Sequence, residues 1–125
     1  MSEIRATTIS DAAGTGPITL TKQSAAKAWM TMTGDGSAID DSFATSSLID
    51  VAAGEYIQIY TNSFSNANYS WIGQQESTYS TTAVIIAHMH SGKTSSETYI
   101  LTYNAGAGAA IDTEENCTVV FGDLA

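Results

Sequence analysis

The chain has 125 residues and a net charge of −9, with 14% charged side chains where soluble domains carry roughly 25%. That length suits one domain with a core of its own, and so acidic a body repels phosphate backbones, which excludes nucleic acid as a partner. One cysteine excludes an internal disulfide; the apolar runs are too short for a signal-peptide core or a membrane span, so no membrane insertion is expected.

The charge is unevenly placed. Residues 1–27 hold Arg5, Lys22 and Lys27 against Glu3 and Asp11, a net +1, whereas residues 28–125 hold Lys93 against eleven acids, a net −10. In the first segment Ile4, Ile9, Ile18 and Leu20 are the only branched aliphatics, interrupted by Gly14-Thr15-Gly16-Pro17. It buries too little apolar surface to offset the entropy of ordering its own backbone. Residues 1–27 are therefore expected to form an extended N-terminal arm ordered by another chain. Ile4, Arg5, Ile9, Ile18, Leu20, Lys22 and Lys27, with Trp29 at the entry to the body, are its contact residues.

The remainder, 28–125, reads as a β-rich body. Period-two alternation predicts strands over Ala28–Thr33, Ala38–Phe43, Ser46–Val51 and Glu55–Thr61, with Gly34-Asp35-Gly36 as a turn. In the fourth, Ile57 and Ile59 share one side, and Tyr56, Gln58 and Tyr60 the other. At most one helical turn, over Ser24–Ala28, fits the pattern. A strand follows at Tyr69–Gly73, then an exposed loop over Gln74–Thr82. The apolar run Ala83–Met89 predicts a strand buried on both sides. A turn over Ser91–Ser96 leads into Glu97–Tyr103, and Ala105–Ala110 is a small-residue connection before Cys117–Phe121. Cys117 is expected to be a buried small hydrophobe. Short strands at this spacing predict an all-β, antiparallel β-sandwich or jelly-roll-like body.

Candidate chemistry is sparse. No nucleophile elbow, phosphate loop or dinucleotide fingerprint occurs, so no enzyme is expected. Asp40-Asp41 and Glu114-Glu115 are neighbours that a strand sends to opposite sides, which rules them out as acid/base dyads. His88 and His90 share a side on a strand, but two ligands make no metal site in a single copy, and a solvated pair at a strand end is the simpler reading. Tyr56 with Tyr60, and Tyr99 with Tyr103, each share a side. Facing outward they would offer a sugar-stacking platform; facing inward they would pack between subunits, which is the preferred reading.

The order of segments resembles a module of tailed-bacteriophage virion proteins, common in marine phage tail fibres and spikes. The resemblance lies in Ile4–Ser10, Gly14–Trp29, Ile39–Asp50, Gly54–Ile59, Phe64–Ser70 and Cys117–Asp123, and is weakest over Gln74–Ala110. It implies a virion structural protein: a homotrimer whose arm docks on other virion proteins and whose body contributes to adhesion to a host-surface glycan or protein. Gln75, Glu76, Tyr79 and Lys93 are then the expected receptor contacts. A threefold axis would gather His88 and His90 into a ring able to hold iron or another transition metal; otherwise no cofactor is implied. Because the arm begins almost at Met1, a stand-alone subunit is expected, placed on the tail or as a capsid decoration or head-fibre protein. A carbohydrate-binding module with no assembly role is the alternative from another class.

Overall fold

The computed structural model describes residues 26–76 and 84–125. Nine strands cover them: β1 Ala28–Thr33, β2 Ile39–Phe43, β3 Thr45–Ala52, β4 Glu55–Tyr60, β5 Ser70–Glu76, β6 Val84–Lys93, β7 Glu97–Asn104, β8 Ala109–Ala110 and β9 Glu115–Phe121. They form two antiparallel sheets, a four-stranded one in the order β2-β1-β9-β5 and a five-stranded one in the order β3-β4-β7-β6 with β8 beside β7. Side chains of both sheets meet in shared clusters, so the body is an all-β sandwich.

Turn chemistry sets the strand ends. Asp35 Oδ1 accepts from the Ser37 amide at 3.0 Å and its hydroxyl at 2.7 Å, closing the turn after β1. The Ser37 hydroxyl and amide hold the Asp35 carboxyl below its ordinary pKa. Gly36 has φ +71° and lies against the Tyr56 ring, where a side chain would be both strained and in collision. Asn104 Oδ1 accepts from the Gly106 and Ala107 amides, each at 2.9 Å, so the small-residue connection is a capped hairpin turn. Ala44 alone links β2 in one sheet to β3 in the other, at φ 53°, and its carbonyl accepts from the Thr61 amide at 2.9 Å.

The interior has two apolar clusters. At one end Tyr60, Phe64 and Tyr69 pack with Ala28 and Val120; Tyr60 stands edge-on to Phe64 and Tyr69 at centroid distances of 5.0 and 5.6 Å. At the other end Met30, Met32, Tyr56 and Ile100 pack together. Buried polar side chains bridge the sheets. Thr118 donates to Gln58 Oε1 at 3.0 Å, Gln58 Nε2 to Thr45 at 2.8 Å, and Thr45 to the Trp29 carbonyl at 3.2 Å. Nearby, Thr98 Oγ1 bonds both the Tyr60 and the Tyr69 hydroxyls, and Tyr69 donates to the Glu97 carbonyl at 2.9 Å.

Several local expectations are corrected. β5 continues through Glu76, so the segment from Gln74 begins as strand. β6 runs to Lys93 and forms a sheet edge, leaving Ile85 50% exposed instead of buried on both sides. Ala28 opens a strand, and the Lys27 amide already bonds the Val120 carbonyl, so the expected helical turn does not reach Ala28; its Ser24 and Ala25 lie outside the described residues. Tyr56 and Tyr60 fill the core of their own chain, which overturns their role as intersubunit packing. Cys117 lies on the outward side of β9, half-buried, because Asn116 and Thr118 take the inward positions.

Candidate interaction faces

Alternation along each strand decides what faces away from the partner sheet. On β9 the inward side chains are Asn116, Thr118 and Val120, leaving Cys117, Val119 and Phe121 outward. On β4 the inward set is Tyr56, Gln58 and Tyr60, with Ile57 and Ile59 outward. On β7, Thr98, Ile100, Thr102 and Asn104 point in, and Tyr99, Leu101 and Tyr103 point out. Hydropathy is thus inverted on much of β4, β7 and β9, whereas β1 points Ala28, Met30 and Met32 inward.

On the four-stranded sheet the register builds one continuous row. Phe43 on β2 pairs with Trp29 on β1, Trp29 with Val119 on β9, and Val119 with Ile72 on β5. Directly opposed residues on adjacent strands lie about 5 Å apart at Cβ, so these four side chains are neighbours across the sheet. Phe43 is 56% exposed and Ile72 59%. A second row follows at Asp41, Thr31, Cys117 and Gln74, and a third at Thr33, Glu115 and Glu76. The Cys117 thiol donates to Glu115 Oε1 at 3.4 Å and lies 3.7 Å from the Thr31 hydroxyl. Burial first, then the hydrogen bond and charge of Glu115, push its pKa up, so the thiol stays protonated at neutral pH and is a poor nucleophile.

The five-stranded sheet carries a different outer surface. Ile49, Ile57 and Tyr99 are in register across β3, β4 and β7; beside them Glu55 pairs with Leu101, and Leu101 with Ala87. Tyr103 pairs with the exposed Ile85. The Tyr99 hydroxyl donates to Glu55 Oε2 at 2.7 Å, a bond that raises the Tyr99 pKa. A phenol held by a carboxylate amid aliphatic side chains is a surface that a sugar ring can stack on and hydrogen-bond to.

The residues singled out from the sequence are scattered over these surfaces. Trp29 sits within the four-stranded row, and Lys27 just precedes β1. Ile4, Arg5, Ile9, Ile18, Leu20 and Lys22 lie outside the described residues, as does Tyr79. Gln75 points inward from β5, its Oε1 buried and unbonded, while Glu76 is exposed at the strand end. Lys93 donates its ammonium to the Tyr69 carbonyl and lies 4.2 Å from that ring's centroid, so its charge is engaged within the body. The backbones of His88 and His90 belong to β6, with His88 opposite Ile100; their side chains lie outside what is described.

Among the described residues no three His, Cys, Asp or Glu side chains converge as metal ligands. A polar cleft of about 190 Å³, lined by Ser65, Asn66, Asn68, Tyr69, Gly122 and Asp123, is below the roughly 300 Å³ at which small-molecule sites begin. Among the described residues, faces are the notable surfaces. Comparison with family models, curated proteins and solved structures finds no match to the chain.

Proposed function

We propose that the protein is a structural subunit of a tailed-phage virion. In this reading a homotrimer carries a jelly-roll-like body outward, its N-terminal arm docks on another virion protein, and the body contributes to adhesion at the host surface. The observation that supports it best is the inverted patterning. A sandwich that keeps Asn116, Thr118, Gln58 and Thr98 inside while leaving Phe43 and Ile72 exposed beside half-buried Trp29 and Val119 is suited to having its outer surface covered in an assembly. Weak receptor contacts would then be strengthened by repetition of the subunit on one particle.

Two experiments test this. Light scattering on the purified chain should give a mass of three copies, and a particle reconstruction should place the subunit on the tail. A monomeric mass at all concentrations would overturn the trimer. Density on the capsid surface would move the assignment to a decoration or head-fibre protein.

A second reading draws support from the other sheet. Tyr99, Glu55 and Tyr103 offer aromatic and carboxylate groups suited to a neutral glycan, as in a carbohydrate-binding module. Glycan-array binding by a monomer, lost in Tyr99→Ala and Tyr103→Ala, would favour this reading over the assembly one.

A further inference from the structure

The outer surface of the four-stranded sheet combines two features that call for one complementary partner. The first is the apolar row through Phe43, Trp29, Val119 and Ile72. The second is the placement of Glu76 directly opposite Glu115 on neighbouring strands, a like-charge pairing that destabilises a sheet. The two described cations give it no relief. Lys93 is engaged by Tyr69, and Lys27 lies at the far end of β1, six residues and about 20 Å from Thr33, which pairs with Glu115. A segment with aliphatic side chains at one point and a cation a fixed distance further on would satisfy both features.

The sequence holds such a segment. In Ile18-Thr19-Leu20-Thr21-Lys22, residues 18, 20 and 22 would share one side of an extended strand. Ile18 and Lys22 are four residues apart, as are Val119 and Glu115 on β9, about 13 Å in each case. Laid along β9 in that register, Ile18 meets the apolar row, Leu20 sits at Cys117, and Lys22 reaches the carboxylate pair. The remaining charges agree, because residues 1–27 carry a net +1 and the rest of the chain −10.

Chain length decides which copy supplies the segment. The Lys27 amide is fixed to the Val120 carbonyl, five residues and about 17 Å along β9 from Glu115. From Lys22 to Lys27 the chain spans at most about 17 Å at full extension, which leaves nothing for a turn at either end or for the height above the sheet. We propose that residues 18–22 of one copy dock along β9 on the four-stranded sheet of a neighbouring copy, with Lys22 between Glu76 and Glu115. The docking rests on the association of copies that the trimer reading also needs, but a protein that still forms trimers without links at β9 would overturn the docking and leave the virion reading standing.

Disulfide trapping in the full-length protein tests it. With Leu20→Cys and the native Cys117, mild oxidation should link two different chains, seen as multimers on a non-reducing gel. The same Leu20→Cys paired with Ile57→Cys on the other sheet, in a Cys117→Ser background, should link at least tenfold more slowly. Links within a single chain, equal rates on both sheets, or no link at all would each overturn the proposal. A charge exchange supplies an independent readout. Lys22→Glu or Glu115→Lys alone should raise the concentration for half-association at least tenfold in low salt, and the two together should restore it. Single variants that associate like the parent would also refute the docking.

Discussion

The two sides of β9 differ in a way that hydropathy alone would assign backwards. Its inner side presents Asn116 and Thr118 beside Val120; its outer side presents Cys117, Val119 and Phe121. What admits polar groups to the interior is hydrogen bonding. Thr118 donates to Gln58, Gln58 to Thr45, and Thr45 to the Trp29 carbonyl, so most of the cost of taking these groups out of water is returned. The outer apolar side has no such compensation within the described residues. The interior is thus held by matched bonds, whereas the exterior awaits a surface to complete it.

Substitutions separate the two sides. The largest effect is expected from Tyr56→Ala, which removes a fully buried ring and its bonds to the Gly34 carbonyl and Asp112. It should lower unfolding free energy by about 3–5 kcal/mol in urea titrations. Thr118→Val should cost about 1–3 kcal/mol, because Gln58 Oε1 is left buried without its donor. Pairing it with Gln58→Met should recover a measurable part, which a double-mutant cycle reads directly. A cycle with no coupling would show the two side chains to be independent.

Alkaline pH gives a smaller and graded effect. Burial first, and then hydrogen bonding to Asp112, raise the Tyr56 pKa; burial first, and then Tyr69, raise that of Tyr60. Their unfolded-state values are about 10, so the folded chain keeps protons that the unfolded chain releases above that pH. The stability they contribute is complete below pH 10 and declines as pH rises beyond it. Urea midpoints should be level from pH 7 to 9 and fall above 10, less steeply in Tyr56→Phe. The smallest change in stability belongs to the outer side. Ile72→Thr and Phe43→Thr should alter unfolding free energy by no more than about 0.5 kcal/mol, while lowering the mass of any assembly seen by light scattering.

Strand positions were legible in the sequence because alternation marks them whichever side is inward. Ala28–Thr33 matches β1, and Glu55–Thr61 matches β4 to within one residue. Alternation has a period but no sign, however. It shows that Tyr56 and Tyr60 share a side without showing which side is the core, and it sent Cys117 inward by hydropathy alone. The sign comes from tertiary hydrogen bonds, such as Thr98 with Tyr60 and Tyr69, whose partners are 38 and 29 residues away. Strand limits were missed for a related reason. Gln74–Glu76 and Ser91–Lys93 are polar enough to read as loop, yet backbone pairing holds the first against β9 and Lys93 against β7. The outer row through Trp29 needs the register of four strands, of which only β1 and β2 are consecutive.

One backbone position carries the chain between the two layers. Ala44 passes the chain from the first layer to the second in a single step, with a left-handed φ of 53°. A strand's pleat has only two settings, and the corner hands the setting of β2 to a β3 whose pairing with β4 slips once at its start, between Thr45 and Ser47. A residue inserted there either is taken up by that slip or turns Phe43 or Leu48 through to the opposite side of its sheet. The same insertion between Ala105 and Gly108 would merely lengthen a hairpin tip. At Ala44 itself glycine is the natural substitute, because a left-handed φ costs it nothing, while the distal turn is free to change its length.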